Sequence, residues 1–257
     1  MVCSGGPLAV CPKGLGAGYE FIDMPVIDKK KQKTPCFTDE VVTGIVRIAT
    51  GLHRMLFILC AAAGLRIGKA LGIDIKNISP DCSTIVIKQK AWRGEIHARL
   101  KPPSGDRVID LHSSVAELLR EYIGSRISGL LFCSKKGKQL WQSNILRRHL
   151  HPALVKLEWK DAELGITKAG SHAFRRFRNT YLRNYTSTPP GLYQFWMGHA
   201  DRDMSDLYDK IRQDVKFRKE VAEKAGLGFE LPSKTAVVGP NGLKIESEAV
   251  LEMSATA

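Results

Sequence analysis

The 257-residue sequence has six cysteines, but no Cys-x-x-Cys pair and no histidine at zinc-ligand spacing from a cysteine. This pattern argues against a disulfide framework and against a zinc site. A calcium loop is also unsupported, because the acids Asp201, Asp203 and Asp206 lack the glycine and glutamate that such a loop needs. His149 and His151 flank one residue and have no third ligand nearby. We therefore expect reduced thiols, no metal and no cofactor.

Long apolar runs are missing too. The longest candidate, "MLFILCAAAGL", is interrupted by Gly64 and Arg66 and is shorter than the roughly 18 residues of a membrane span. The first residues lack a basic region that leads into an apolar one, so no secretory signal is predicted. These absences predict a soluble cytoplasmic protein that does not bind membranes.

Acidic residues are few relative to basic ones. Asp and Glu number 26 against 39 Lys and Arg, which gives a formal net charge of +13. An excess of this size favours a polyanionic partner such as nucleic acid over an acidic small molecule. With 44% hydrophobic and 25% charged residues, the chain can form one ordinary domain with a sizeable core.

The pattern along the chain predicts three parts. Residues 1–33 are rich in Gly and Pro and end in "DKKKQK", which is typical of a linker. Residues 34–226 form the predicted domain, and residues 227–257, with small residues and scattered acids, are expected to be mostly disordered.

The predicted domain is mainly α-helical with one small three-stranded antiparallel sheet. Alternating patterns predict the strands, in "STIVIKQK", "GEIHARLK" and "DRVIDL". Capping residues mark helix starts at Thr38, Ser143, Ser171 and Ser205. The helix after Ser143 should kink at Pro152, and the helix after Ser205, "DLYDKIRQDVKFRKEVAEKAG", should be long and continuous.

One stretch, "SHAFRRFRNTYLRN" (171–184), has a histidine, four arginines and no acid. His172 and Arg175 lie three residues apart and therefore share one side of a helical turn, where they could bind an anion. Taken singly, such residues are more often helix caps, and the same holds for Arg66 in the turn "AGLRIGKALGI". Lys101 at a strand end, His199 after a glycine and Tyr208 in a first helical turn also have ordinary structural explanations.

Their order along one basic chain is more specific. The series Arg66, Lys101, His172-x-x-Arg175, Gly198-His199 and Tyr208 resembles the tyrosine recombinase (phage integrase) family from about residue 34 to about residue 226. "AAAGLRIGKALGI" is similar to the family's first arginine box, and "LKPPSGDRVIDL" is similar to its lysine hairpin. "SHAFRRF" and "GHADRDMSDLY" are similar to its second and third boxes. The step of 109 residues between the two arginines and of nine between His199 and Tyr208 also agrees.

The resemblance implies a tyrosine recombinase catalytic-domain fold, of the DNA breaking-rejoining type, and metal-free DNA cleavage through a 3′-phosphotyrosine. Arg66 and Arg175 would clamp the scissile phosphate, since guanidinium groups bind phosphate oxygens bidentately. His172 would accept a proton from the nucleophile Tyr208, and His199 would orient the phosphate. Lys101 would be the general acid for the leaving 5′ oxygen, with Lys88 and Lys90 as alternatives.

The implied partner is double-stranded DNA, with site-specific recombination or integration as the activity. The resemblance further implies a tetramer on synapsed DNA, accessory DNA-bending proteins as additional partners, and a bacterial, nucleoid-associated location. "EVAEKAGLGFEL" (220–231) is the candidate for a C-terminal helix donated to a neighbouring subunit.

Two departures from the family pattern bear on activity. Lys69 stands where the family usually has an acid, and we expect the added positive charge to lower activity. The 33 residues before the domain are too few for the family's N-terminal clamp domain, so DNA binding should be weak and strongly salt-dependent.

Two alternatives stay open at this point. A type IB topoisomerase would use similar chemistry on one strand, although the compact boxes resemble the recombinases more. A degenerate DNA-binding protein could have kept the fold and lost turnover.

Overall fold

The computed structural model describes residues 34–97, 107–160, 165–198, 211 and 213–232. The chain divides into two compact units, residues 1–32 and 33–257. All the described elements belong to the second unit. None of the described helices is long and apolar enough to cross a membrane.

The described part of the chain is mainly helical. The α-helices are α1 (Asp39–Ile48), α2 (Gly51–Ala62), α3 (Ile67–Leu71), α4 (Ser113–Ile123), α5 (Gln142–Ile145), α6 (His151–Lys156), α7 (His172–Asn184), α8 (Pro190–Met197) and α9 (Val215–Ala225). Short 3₁₀ turns lie at Ile75–Asn77 and Ile166–Lys168.

The first helix begins where its capping residue predicts. The Thr38 hydroxyl accepts a hydrogen bond from the Val41 amide, and Asp39 and Glu40 place negative charge in the first turn. Both features stabilise a helix N-terminus. The apolar face of α1 then packs on α2.

Helix α2 forms the centre of the hydrophobic core. Every residue from Arg54 to Ala62 is buried, and α1, α4 and α7 all pack against this helix. The turn that follows contains Gly64 at φ +60°, where an added Cβ would lie 2.4 Å from the Met197 Cε. A glycine is required here because both the backbone conformation and the close approach exclude a side chain.

The prediction of one three-stranded sheet is wrong in its strand count. Strands β1 (Thr84–Ile87) and β4 (Arg107–Asp110) pair antiparallel, with Ile85 opposite Ile109. Strands β2 (Lys90–Trp92) and β3 (Glu95–His97) form a separate hairpin.

The predicted first strand, residues 83–90, is interrupted at Lys88 and Gln89: β1 ends at Ile87 and pairs with β4, whereas β2 begins at Lys90 and pairs with β3. Arg93 and Gly94 both have positive φ, at 49° and 88°, as a tight two-residue hairpin turn requires. The stretch after Ser83 thus contributes β1 to one two-stranded sheet and β2 to the other. The fold class, mainly helical with small antiparallel sheets, is unaffected.

The helix expected after Ser143 begins instead at Gln142. It passes from α5 through a π-helical turn, Leu146–Leu150, into α6, where Pro152 lies in the first turn. Proline lacks an N–H and crowds the preceding turn, and a wider turn just before it accommodates both effects.

The terminal helix is also shorter than predicted. Asp214 is extended, with ψ 90°, and its side chain accepts a hydrogen bond from the Phe217 amide to cap α9. A helix running unbroken from residue 206 to 226 is therefore wrong, since an N-cap breaks it at 214. Ser205, its predicted cap, lies outside the described residues.

Residues beyond α9 lie against the same chain. The Arg178 Nη1 donates to the carbonyls of Gly226 and Leu227, and the Tyr181 hydroxyl donates to the Ala225 carbonyl. Phe229 and Leu231 pack on the core. The end of the predicted exchange segment 220–231 thus docks on α7 of its own chain, and so do the first residues of the predicted tail, which begins at 227.

A buried ion pair links α9 to strand β4. The Arg218 Nε donates to the Asp110 carboxylate at 2.9 Å, and the Trp196 indole donates to the same carboxylate at 2.8 Å. The Asp110 side chain has no exposed surface. One carboxylate therefore joins β4, α8 and α9.

We predict that Asp110→Asn lowers the free energy of unfolding by about 3 kcal/mol, because it removes the negative charge of a buried ion pair. Lys219→Ala is the matched control, since Lys219 lies next along α9 but pairs with Asp81 at the exposed surface. Its loss should cost under about 1 kcal/mol. Urea unfolding followed by circular dichroism measures both, and equal losses would contradict the assignment.

Candidate active site

Arg66 lies at the junction between α2 and α3. It is the N-cap residue of α3, its backbone is extended, and its side chain is exposed. The tight turn at Gly64 and the start of α3 thus present this guanidinium outside the core, as the sequence predicted.

Arg175 comes from α7 and is buried. Its Nη1 donates to the Gly64 carbonyl at 2.8 Å and its Nη2 donates to the Met197 carbonyl. It therefore joins the turn that carries Arg66 to the end of α8. Each of its terminal nitrogens has a second N–H, so both can still donate to an anion.

His172 begins α7, one turn before Arg175, and is exposed. Its pKa is lowered by partial burial first, and then by the charges of Arg66, Arg176 and Arg175. The neutral imidazole is therefore favoured at neutral pH, which is the form that can accept a proton. The expected cap of this helix, Ser171, makes no capping hydrogen bond.

Arg107 is the site residue that sequence reasoning missed. It opens β4 and is only 4% exposed. Its Nη1 donates at 2.8 Å to the Met197 carbonyl, the same oxygen that accepts from Arg175. Nothing in "DRVIDL" marks this arginine as buried, although Arg107 and Ile109 are two residues apart and therefore share one face of the strand.

Lys69 lies on α3, half-buried and close to the arginines. Burial lowers its pKa to about 8, and the charges of Arg107, Arg66, Arg175 and Lys90 act in the same direction. Burial likewise lowers the pKa of Arg107 to about 10 and that of Arg175 to about 9, with Arg66 as the next cause for both. The four side chains thus form one group of mutually repelling cations.

This group, here called the cationic cluster, consists of Arg66, Lys69, Arg107 and Arg175. Within the described residues, no carboxylate forms a salt bridge with any of the four. Four cations held together without a counter-ion in a partly buried place favour an anionic ligand.

The structure does not describe three of the predicted site residues. Lys101, His199 and Tyr208 lie outside the described residues, so their placement stays a prediction. Of the two alternative lysines, Lys90 on β2 lies near the cationic cluster, since its charge contributes to the lowered pKa of Lys69. Lys88 follows β1 and is exposed.

The ranges that the structure describes contain no group of three or more His, Cys, Asp or Glu side chains that could hold a metal ion. His149 instead stacks on His53, with ring centroids 3.3 Å apart. Asp201, Asp203 and Asp206 are not among the described residues.

Comparison with known sequences gives the family. The sequence model of the phage integrase family matches residues 37–214. The chain belongs to the phage integrase family. A curated relative, tyrosine recombinase XerD of Pseudomonas aeruginosa, is 23% identical over 194 residues, which cover 74% of this chain and 61% of XerD. The chain therefore spans about three fifths of that relative's length.

Solved structures share the fold. The Tn1549 transposon integrase, in complex with transposon right end DNA, matches with a TM-score of 0.54 at 17% identity over 74% of this chain and 69% of that one. The integrase from mycobacterium phage Brujita matches with a TM-score of 0.55 at 15% identity, covering 79% and 61%. XerA recombinase gives 0.51 at 16% identity, covering 73% and 66%. The predicted tyrosine recombinase catalytic fold is confirmed.

Gly198, the glycine of the Gly-His box, leaves the space that the Arg107 side chain occupies. Gly198 ends α8 in the left-handed region, with φ +61°, and an added Cβ would lie 1.7 Å from the Arg107 Nη1. We predict that Gly198→Ala lowers the free energy of unfolding by about 1 kcal/mol because of the backbone conformation. The overpacking should lower it by about 1–3 kcal/mol more.

Gly137→Ala is the control, because Gly137 has φ +72° but no atom within 4 Å of an added Cβ. Chemical unfolding of both variants measures the difference between them. Equal losses would mean that Arg107 does not pack against Gly198.

Lys69 makes stability depend on pH in a defined direction. Its pKa of about 8 in the folded protein lies below the ordinary 10.5, so the unfolded state binds its proton more tightly. The charged form therefore destabilises the fold fully below about pH 8, and this effect fades as the pH rises to 10.5.

We predict that Lys69→Met raises the free energy of unfolding at neutral pH, and that the gain shrinks towards zero near pH 10.5. Lys76→Met, at an exposed lysine, should change little at any pH. Urea unfolding across this pH range measures both. A gain from Lys69→Met that does not vary with pH would refute the electrostatic explanation.

Proposed function

We propose that this protein cleaves and rejoins DNA at specific sites without a metal ion, through a covalent 3′-phosphotyrosine. The single observation that carries the proposal is the convergence of Arg66, His172 and Arg175 from two distant parts of the chain in surroundings without a described counter-ion. Membership of the phage integrase family supports the same reaction class.

The charge of the cluster suits phosphodiester chemistry. Attack on a phosphate concentrates negative charge on its non-bridging oxygens, and fixed cations can stabilise that charge in place of Mg²⁺. Arg66 is exposed and therefore able to contact DNA, while Arg175 is held rigidly behind it by two carbonyls. Together they would form the phosphate clamp.

The proton transfers need a base and an acid. His172 is exposed and its lowered pKa favours the neutral form, so it can accept the proton from the Tyr208 phenol. Tyr208 would then attack phosphorus and displace the 5′ oxygen, which takes its proton from Lys101. His199 would hydrogen-bond the phosphate.

Double-stranded DNA is the proposed partner. The net charge of +13 supports it, and the matched Tn1549 transposon integrase was solved with transposon right end DNA. We further propose assembly into a tetramer on two duplexes, with accessory DNA-bending proteins as additional partners.

The test is a nicked suicide duplex, from which the cleaved strand segment diffuses away and traps the adduct. We predict that wild-type protein forms a covalent protein–DNA adduct, visible by denaturing electrophoresis, and that Tyr208→Phe forms none because phenylalanine lacks the attacking oxygen. Tyr185→Phe is the control, since Tyr185 is exposed at the end of α7 and should retain wild-type adduct yield.

The lysine at 69 favours a second candidate, a DNA-binding protein that has lost turnover. Four cations without a described acid bind DNA readily, but the repulsion between them disfavours precise orientation of the reacting groups. DNA binding without any adduct would support this candidate and overturn the proposed activity. Relaxation of supercoiled plasmid without strand exchange would instead indicate a topoisomerase.

A further inference from the structure

Arg107 is a buried cation with unused hydrogen-bonding capacity. Its Nη1 donates to the Met197 carbonyl at 2.8 Å. Its Nε and Nη2 are buried and have no hydrogen-bond partner among the described residues, where the nearby charges are Arg66, Lys69 and Arg175. Buried guanidinium groups are normally paired, because an unpaired donor loses its water without compensation.

Attachment of α8 does not require this arginine. Asp110, three residues further along β4, already binds the Trp196 indole of α8 and Arg218 of α9. A neutral apolar side chain at position 107 could fill the same volume without the desolvation of a charge. The positive charge therefore needs an explanation other than packing.

The Met197 carbonyl explains why a positive charge lies at position 107. This oxygen accepts from Arg107 on one side and from Arg175 on the other, so the two guanidinium groups are held against the same atom. Gly198, the next residue, packs directly against the Arg107 guanidinium. Arg107 therefore lies immediately behind Arg175, which is the inner member of the proposed phosphate clamp.

We propose that Arg107 is a positioning residue for DNA cleavage, which fixes the carbonyl that aligns Arg175 and adds its own positive charge behind that guanidinium. This inference rests on the proposed function. Arg107 does not contact the phosphate: its free nitrogens are covered, and its effect passes through Arg175. The arriving phosphate supplies the negative charge that the described residues around Arg107 lack.

We expect the effect of Arg107 to depend on the charge of the scissile phosphate. A substrate in which a methyl group replaces one non-bridging oxygen is neutral there, and it needs less cationic stabilisation during attack. A contribution from Arg107 that operates through Arg175 should therefore matter on the charged substrate and little on the neutral one. A general loss of folding would affect both substrates equally.

The experiment measures single-turnover rates of adduct formation at saturating protein on matched phosphate and methylphosphonate suicide duplexes. Arg107→Gln, which can still donate to the Met197 carbonyl but has no charge, should slow the phosphate reaction at least about tenfold and the neutral one less than about threefold. Arg107→Lys, which keeps the charge, should recover part of the loss. Because the ratio of the two rates comes from one preparation, inactive protein does not alter it.

Arg178→Gln is the matched control. Arg178 lies one turn along α7 from Arg175, is also buried, and donates to the carbonyls of Gly226 and Leu227 away from the cluster. Its loss should leave the ratio of the two rates unchanged. An Arg107→Gln variant that reacts at the wild-type rate, or that slows equally on both substrates, would overturn the role of Arg107. Wild-type protein that forms no adduct on either duplex would overturn the proposed function itself, and with it the role of Arg107.

Discussion

The site depends on one backbone oxygen, the Met197 carbonyl, which accepts hydrogen bonds from both Arg107 and Arg175. Arg107 comes from β4, Arg175 from α7, and the carbonyl ends α8, so three elements that are distant in sequence meet at this atom. Through its other terminal nitrogen, Arg175 also holds Gly64 and hence the turn that presents Arg66. Among the described residues, the proposed clamp residue Arg175 is therefore held by carbonyl groups and not by carboxylates, which leaves its positive charge available to a ligand.

This arrangement has an energetic cost. Burial and mutual repulsion lower the pKa values of Lys69, Arg107 and Arg175, and no described acid offsets them. The remainder of the fold must hold the cluster together. The fully buried helix α2 and the Asp110 carboxylate, which binds α8 and α9, serve that purpose. An anion bound in the cluster would stabilise the folded protein, because every cation of the cluster would then be attracted to the same negative charge.

Part of the candidate site could be predicted from the sequence, because it depends on residues that lie close together in the chain. His172 and Arg175 share a helical turn by their spacing, and Arg66 follows a glycine turn after an apolar helix. Arg107 could not be found in this way, because its burial arises from the pairing of β4 with β1 and from the packing of Gly198, which are contacts between distant segments. The same limit explains the strand count, because it depends on the pairing of β1 with β4 and of β2 with β3. The start of α9 is a local feature, since the Asp214 side chain caps it by accepting a hydrogen bond from the Phe217 amide.

The most direct test of the cationic cluster is thermal unfolding in sodium sulfate against sodium chloride at matched ionic strength. An oxyanion bound by the cluster would raise the unfolding midpoint in sulfate above that in chloride, because a ligand of the native state stabilises it by mass action. Arg66→Ala, at an exposed position that carries little of the fold, would remove most of the difference. Equal midpoints in the two salts, or a sulfate effect that persists undiminished in Arg66→Ala, would contradict the account.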